Sequence, residues 1–522
     1  MITGVRGDVA WQDADQARTV AFNVSGRYVT LTVEIVLGLL MLPFNTRHLG
    51  ASEYGLWMLA TSIVGYFPVL ELGYGAAMER FVAHNRALRN GTAINEIAST
   101  LVFVYGAIGL AALAVLATIA YHLGAMFDLS PAQARTGGLV LLLVSLQFTL
   151  GLPFAIFGAL VNGFQRTYLN SVVGTIVAIT VAAVNAVVLL AGGGLVELVA
   201  ATTAVRMLSY IAYRSNAYRV FPPLRIRPSL FRLRRLREVT GFSVYMLLND
   251  AANKLNYATD PIVIAAALSM GAVAMWTVAQ RLAYIVHRLT NQLGEVLFPI
   301  VVDCDTGQRA ARLKDVLVHG TRLSLAMVIP SAGALALLAY PVVIGWTGQE
   351  FQTAAPVLQV LAVVVIMRVG AWTSGTVLQG GGYHRLLALT NIASAVTNVI
   401  LSVILVRTHG LLGVAYATLV PLSIRAIAIL APMACRRVGM SVAAFVSRAV
   451  WPAVWPAAVV LGALAVMRDP ASVSLVGAVA QGALCGLIYL MVFIGVAIGR
   501  EDRARYLGKL RSIAGWSALE AA

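Results

Sequence analysis

The amino-acid sequence predicts an all-α membrane protein with about 14 transmembrane helices, and three observations lead to this prediction. The 522 residues are 59% hydrophobic and 11% charged, with a mean hydropathy of +0.83. A soluble domain carries roughly 25% charged residues, so this deficit indicates a membrane environment. The apolar stretches are each roughly 18–30 residues long, which lets a helix cross the bilayer core. Basic residues also alternate from one loop to the next.

Fourteen spans are predicted along the chain. They cover 24–43, 54–73, 98–120, 137–162, 169–191, 193–213, 241–269, 272–302, 316–345, 355–379, 386–406, 411–434, 443–467 and 472–498. We group them into a tail (1–23), an N-lobe of six helices (24–213), a basic linker (214–240), a C-lobe of six helices (241–434), a helix pair (443–498) and a second tail (499–522).

The loop charges predict the topology. Even-numbered connections contain roughly nineteen Lys and Arg residues and odd-numbered ones roughly four, which is the positive-inside pattern. Both termini and the linker are therefore expected in the cytoplasm. The same topology accounts for the net charge of +16, so no nucleic-acid partner is predicted. Residues 1–23 contain no apolar signal-peptide core, so we expect no cleaved leader.

The basic linker contains three prolines, which break any continuous helix. Its segment from Pro228 to Arg237 places large apolar residues among arginines, namely Leu230, Phe231, Leu233 and Leu236. Two interpretations stay open. The segment is either a short amphipathic helix on the inner membrane face or a basic linker that only sets topology.

Weak similarity between the two halves predicts an internal repeat. LGASEYGLWM from Leu49 aligns with LSMGAVAMWT from Leu268, and Asn162-Gly163 aligns with Gln379-Gly380. The offset is about 217–219 residues in both places, and a six-helix unit gives two lobes of the same orientation. The last two helices lie outside this repeat.

Charged residues at bilayer depth are costly and mark functional positions. In the seventh span, Asp250 and Lys254 are four residues apart, so they share a helix face and can pair. Asp260 follows in the same span. The first span contains Arg27 and Glu34, and single arginines occur at 206, 368 and 425.

The eighth span carries a polar stripe on one helix face. Its members recur every three or four residues, namely Arg281, Tyr284, Arg288, Gln292 and Glu295. Such a face is expected to line a cavity rather than contact lipid. The arginines suit a phosphate-bearing substrate because a guanidinium donates in a bidentate manner. A structural ion pair between Arg281 and Asp250 or Asp260 is the alternative interpretation.

No enzyme motif competes with this interpretation. The chain has neither a GxxxxGK[ST] phosphate loop nor an HExxH zinc motif. Its three cysteines are scattered and form no metal-ligand spacing. We therefore predict a transporter with no cofactor, other than a transported proton or sodium ion.

Two stretches resemble a known family. One is the run beginning LPFNTRHLGASEYGLWM at Leu42, with Glu53-Tyr54-Gly55 and Trp57. The other is ATDPIVIAAALSMGAVAMWTVAQRL, followed by LFPIV around Pro299. Both are similar to bacterial Wzx-type O-antigen flippases, polysaccharide transporters of the multidrug/oligosaccharidyl-lipid/polysaccharide exporter superfamily.

The resemblance implies a two-lobed fold with a central cationic cavity. It implies a flippase that moves a polyprenyl-pyrophosphate-linked oligosaccharide to the outer leaflet of the bacterial inner membrane by ion-coupled alternating access. Expected partners are this glycan lipid, membrane lipids, a polysaccharide polymerase and a chain-length regulator. The substrate-binding candidates are Arg281, Arg288, Arg27, Lys254, Tyr284 and Gln292. The ion-coupling candidates are Asp250, Asp260 and Glu34.

Three alternatives to this function stay open. Two share the fold: a cation-coupled exporter of drugs or small solutes, and a lipid II flippase. The third is a membrane glycosyltransferase or polymerase, which is expected to have a large outer loop. The longest predicted outer loop, residues 121–136, is small.

Overall fold

The computed structural model describes residues 16–71, 73–238, 258–306, 310–467, 474–499 and 503. Over these residues the ordered elements are all helices, and none is a β-strand. Ten helical stretches in this part of the chain are long and apolar enough to cross a membrane. Two of them, Phe22–Ala87 and His384–Arg437, have 66 and 54 residues, enough for more than one crossing. The predicted all-α membrane fold with about 14 transmembrane helices is confirmed.

The described part of the first half forms a series of α-helices joined by short turns. They are α1 (Gln16–Val64), α2 (Tyr74–Ala87), α3 (Gly91–Met126), α4 (Pro131–Gly163), α5 (Thr167–Leu190), α6 (Leu195–Val220) and α7 (Ala258–Ala267). Short 3₁₀ helices occur at Phe67–Glu71 and Pro228–Leu230.

The described part of the second half is also helical. Its helices are α8 (Met270–Thr306), α9 (Ala310–Leu337), α10 (Ala339–Thr347), α11 (Ala354–Gly380), α12 (His384–Ile424), α13 (Ala431–Arg437), α14 (Val442–Phe445), α15 (Trp451–Met467) and α16 (Leu475–Val492). A 3₁₀ helix occurs at Gln349–Phe351, and π-helices occur at Arg425–Leu430, Val446–Val450 and Phe493–Ala497.

Two glycines separate spans that the helices otherwise join. Within α1, only Gly50 leaves the helical region, with φ 74° and ψ 166°. This break lies between the predicted spans 24–43 and 54–73. Gly410 does the same in α12, with φ 56° and ψ −136°, between spans 386–406 and 411–434. Glycine fits both positions because it adopts positive φ without steric cost.

Several predicted boundaries differ from the structure. The second span does not reach residue 73 as one helix: α1 ends at Val64, and a 3₁₀ turn precedes α2. The ninth span is interrupted at Leu338, between α9 and α10. The sixth extends to Val220, so the predicted linker begins within a helix. The first two differences follow local backbone breaks, and the third arises because α6 continues beyond its apolar stretch; hydropathy detects neither.

The chain forms two compact units, Met1–Ala274 and Met275–Ala522. In the first, α3 and α6 pack on α4, and α1 packs on α5. Its core combines apolar residues from α2, α3, α4 and the end of α6, including Met78, Leu101, Leu160 and Phe221. Ile226 and Leu236, the latter in a helical turn over residues 233–238, pack against the same core, so part of the predicted linker belongs structurally to this unit.

In the second unit, α11 packs against α9 and α12, and α15 and α16 pack against α9. Its described core brings together Leu317 of α9, Leu378 of α11 and Phe445 of α14. The last helices lie outside the predicted repeat, but they pack against α9 within the second unit.

Matching turns follow the two Gly residues that the repeat aligns. After Gly163, the amides of residues 164, 165 and 166 donate to carbonyls 160, 162 and 161. After Gly380, residues 381, 382 and 383 donate to 377, 379 and 378. Each donor and each acceptor of the second turn lies 217 positions after its counterpart in the first turn. The middle residues, Gln165 and Gly382, both have positive φ, 62° and 80°. The same hydrogen-bond pattern and positive φ also end α2, α5 and α13, so this turn is a common form of helix C-terminus, and the repeat stays a prediction.

Candidate functional site

The described part of the polar stripe of α8, from Arg281 to Arg288, forms one open face in the second unit. Arg281 is exposed and Arg288 is half-buried, while Tyr284 between them is 45% exposed. The opposite face packs inward through the buried residues Ala279 and Ala283. An arginine at membrane depth needs a watery or polar surrounding. The open face of α8 is therefore suited to line an aqueous path.

A second helix, α11, places an arginine near α8. On α8 itself, His287 immediately precedes Arg288, and its ring centroid is 6.3 Å from that of Tyr284. The charge of Arg368, on α11, acts on the His287 imidazole. Arg368 is half-buried, and it approaches α8 from a helix 80 residues further along the chain (368 − 288 = 80). The α8 surface thus gains a third guanidinium in its vicinity.

The first unit has its own polar group, formed by α1 and α6. Glu34 of α1 and Arg206 of α6 both act electrostatically on the hydroxyl of Tyr213. The hydroxyl of Tyr210, near Arg206, donates to the Gln147 carbonyl at 2.7 Å. A carboxylate, a guanidinium and a phenol therefore share one neighbourhood inside the membrane-spanning helices. Such a group can exchange a proton or hold a small cation near the carboxylate.

Hydroxyl groups join α1 to α5 next to this group. The Thr30 hydroxyl lies 2.8 Å from that of Thr175 and donates to the Ser171 carbonyl at 3.1 Å. Arg27, one turn earlier on α1, is exposed. This part of α1 is therefore polar along its contact with α5.

Asp260 lies at the start of α7 and is 2% exposed. Its neighbour Thr259 shares a hydrogen bond with the Tyr66 hydroxyl, and the Asp260 charge acts on the same phenol. Asp260 is therefore enclosed within the first unit. This position suits a small ion better than a bulky group, because a buried carboxylate needs a compact counter-charge or a proton.

The structure bears differently on each predicted site residue. It brings Arg281, Tyr284 and Arg288 onto one face. Asp250, Lys254 and the side chain of Gln292 lie outside the described residues, so the predicted pairing of Asp250 with Lys254 stays a prediction. Over the described chain, no group of His, Cys, Asp and Glu side chains is arranged to hold a metal ion.

Three members of these groups had no assigned role from the sequence. Arg206 and Arg368 stood out only as single arginines, and His287 did not stand out. Arg206, Tyr210 and Tyr213 share one face of α6 through spacings of four and seven residues, so the sequence did carry a signal for this part of the group. The approach of Glu34 to Tyr213, and of Arg368 to His287, joins helices that are distant in sequence, and spacing within one helix carries no signal of these contacts.

Comparison with protein families gives a match over more than half of the chain. Residues 25–304 match the family described as polysaccharide biosynthesis protein. The "probable low-salt glycan biosynthesis flippase Agl15" of Haloferax volcanii is 25% identical over 182 residues, which cover 35% of this chain and 39% of that protein. The membrane protein EpsK of Bacillus subtilis is 22% identical over 418 residues, covering 77% of this chain and 80% of EpsK.

Solved structures show the same fold. An inward closed conformation of the lipid II flippase MurJ matches with a TM-score of 0.71, covering 91% of this chain and 98% of MurJ at 15% identity. An inward-facing multidrug resistance transporter of the MATE family matches with a TM-score of 0.64, covering 79% of this chain and 98% of that one at 15% identity. At such identity the likeness establishes fold alone.

Proposed function

The chain belongs to the polysaccharide biosynthesis protein family, and from this premise we propose that it is a flippase for a lipid-linked glycan. The substrate is a polyprenyl-pyrophosphate-linked oligosaccharide. The protein moves it from the inner to the outer leaflet of the bacterial inner membrane by alternating access. No covalent bond changes in this reaction, so the protein acts as a transporter rather than an enzyme.

The open face of α8 is the observation that carries this proposal. A diphosphate bears more than one negative charge and presents several oxygen acceptors. Arg281 and Arg288, seven residues and two turns apart, offer two planar donor groups along one face. Tyr284 lies between them and supplies an amphipathic ring on which a sugar can rest. Arg27, Lys254 and Gln292 complete the set of candidate substrate contacts.

Energy for net transport is proposed to come from an ion gradient. The Glu34 carboxylate shares its surroundings with Arg206 and Tyr213, so protonation or cation binding there changes the local charge balance. Asp260 is the second described candidate, and Asp250 is the third. A carboxylate whose charge changes when it binds the ion is the minimal element that couples movement of the ion to movement of the glycan lipid.

A cation-coupled exporter of drugs or small solutes is the second candidate, supported by the match to the multidrug transporter fold. Such substrates are commonly cationic and favour acidic surfaces. The described face of α8 presents arginines instead, which favours an anion. A lipid II flippase, the third candidate, shares the diphosphate and differs only in the glycan.

Reconstituted transport distinguishes these candidates. The protein is placed in proteoliposomes with a fluorescent short-chain polyprenyl-diphosphate glycan, and a membrane-impermeant quencher reports the fraction in the outer leaflet. We expect protein-dependent redistribution of the diphosphate lipid and none of a matched lipid with a neutral headgroup. Equal redistribution of both lipids, or transport of a cationic dye without movement of the glycan lipid, would contradict the proposal.

A further inference from the structure

The predicted basic linker is held along the first turns of α3 by a ladder of hydrogen bonds. Three α3 side chains take part: Asn95, Ser99 and Thr100. They bind the linker backbone at Pro223, Arg225, Arg227 and Arg232, with donor–acceptor distances of 2.9–3.2 Å. The linker is therefore a fixed strap on the first unit over this length.

Arg235 completes the attachment from inside the strap. Its Nε donates to Glu96 at 2.9 Å and its Nη1 donates to Glu238 at 3.0 Å. The guanidinium also lies 5.7 Å from the Phe81 ring centroid, and the side chain is only 18% exposed. Together with Leu236, which packs on the core, this residue occupies the inner side of the strap.

The outer side of the strap combines large apolar and basic residues. Leu233 is 55% exposed and Phe231 is 38% exposed. The Arg234 side chain is 80% exposed and that of Arg232 is 56% exposed. Arg237 is also exposed. Glu238 is the acidic residue of this stretch, and it is engaged by Arg235 and lies 3.7 Å from Arg234.

We propose that this outer side, formed by Phe231, Leu233, Arg234 and Arg237, is a docking surface for anionic phospholipids of the inner leaflet. Apolar side chains next to arginines fit the headgroup layer, where hydrocarbon reaches the acyl boundary and guanidinium groups meet lipid phosphates. The inward attachment keeps these residues on the outer side. The proposal uses the predicted cytoplasmic location of the linker and is independent of the substrate.

The occupant follows from charge complementarity. Arg234 and Arg237 are exposed on the outer side, whereas Arg232 lies 4.0 Å from Glu96 and donates to the Ser229 and Phe231 carbonyls. The arginines at 232, 234, 235 and 237 still outnumber the acids Glu96 and Glu238, so the surface keeps a net positive charge. Each basic residue near an anionic surface contributes about 1 kcal/mol, which corresponds to about five-fold in partitioning. Because Glu96 fastens the strap to α3, lipid binding there also anchors that end of α3 at the membrane surface.

The test places a polarity-sensitive fluorophore on Leu233→Cys in the full-length protein. The labelled protein is reconstituted in vesicles of pure phosphatidylcholine or of phosphatidylcholine with one quarter phosphatidylglycerol. We expect a blue-shifted emission and quenching by lipid-borne nitroxide that are much stronger with phosphatidylglycerol. The change Arg234→Gln with Arg237→Gln is expected to weaken the anionic-lipid response by at least ten-fold. Labelling of the unsubstituted protein reports any background from its own cysteines.

The control is Arg135→Gln with Arg407→Gln in the same labelled protein, which removes two exposed positive charges from predicted outer loops. It should leave the response at residue 233 unchanged. Size-exclusion profiles show that each variant is folded. Emission that is equal in both vesicle types, or a response that survives loss of Arg234 and Arg237, overturns lipid docking. If the fluorophore reports an aqueous environment in both vesicle types, lipid docking is ruled out, and the surface is available to a soluble acidic partner instead.

Discussion

Gly55 of α1 lies directly against the backbone of Met270, the first residue of α8. A methyl group on Gly55 would lie 1.8 Å from the Met270 carbonyl oxygen and 2.6 Å from its carbonyl carbon. Neither atom belongs to a flexible side chain that can move aside. Gly55 belongs to the Glu53-Tyr54-Gly55 motif that carries the sequence resemblance. A glycine is required at this position because any side chain would clash with the Met270 backbone.

Gly55→Ala is expected to destabilise the protein strongly, because the added methyl group must push two backbones apart. Overpacking of this kind costs about 1–3 kcal/mol or more. The measurement is the thermal unfolding midpoint of purified protein, together with the yield of folded protein in the membrane. The matched control is Gly106→Ala in α3, where an added methyl group meets nothing within 4 Å. Equal stability of the two variants would contradict this explanation.

The α8 arginines give a prediction about substrate charge. Arg281→Ala and Arg288→Ala are each expected to reduce transport of the diphosphate lipid at least ten-fold, while the protein still inserts. Lys at either position should restore only part of the activity, because it supplies the charge without the planar donor pair. Charge-matched controls are Arg385→Ala and Arg407→Ala, at exposed positions of the same unit. Normal transport by the Arg281→Ala/Arg288→Ala variant would rule out this site.

Coupling through the first unit gives a separate prediction. Glu34→Gln keeps the size of the side chain and removes its charge beside Arg206 and Tyr213. We expect folded protein whose transport no longer responds to an imposed proton or sodium gradient. Glu350→Gln, at an exposed position in a 3₁₀ turn, should respond as the unsubstituted protein does. If Glu34→Gln retains the full gradient response, the coupling role passes to Asp260 or Asp250.

Topology can be tested by labelling. Gln349 and Arg225 are both exposed, but loop charges place residue 349 outside and residue 225 in the cytoplasm. A membrane-impermeant thiol reagent added to intact spheroplasts should label Gln349→Cys and not Arg225→Cys. After permeabilisation, Arg225→Cys should also be labelled, which shows that the thiol is reactive. Labelling of Arg225→Cys alone before permeabilisation would reverse the orientation of the whole chain.

The sequence predicted much of the fold because membrane helices depend on length and hydropathy, which are local. Gly50 and Gly410 even lie between the predicted spans that they separate. The candidate site could be predicted only in part from the sequence. The stripe of Arg281, Tyr284 and Arg288 was predicted because all three share one helix. The grouping of Glu34 with Arg206, and of His287 with Arg368, depends on packing between distant helices, and no periodicity within one helix encodes it.

A buried arginine attaches the final helices to α9. Arg322 of α9 is 7% exposed, and its Nε and Nη2 donate to the Arg448 carbonyl at 2.9 and 2.6 Å. Arg448 lies in the π-helix Val446–Val450, whose altered hydrogen-bond register leaves carbonyls to be satisfied by other groups. Hydrogen bonds from charged donors contribute about 1.5–3 kcal/mol, so this contact is expected to matter for stability.

Arg322→Met should therefore lower the thermal unfolding midpoint and increase proteolysis between α13 and α15, because the Arg448 carbonyl loses its charged donor. Arg322→Lys should recover part of the loss, since it restores a charged donor without the second donor nitrogen of the guanidinium. The matched control is Arg312→Met, at an exposed position of α9, which should have little effect. Similar midpoints for Arg322→Met and Arg312→Met would show that this contact does not hold the last helices to α9.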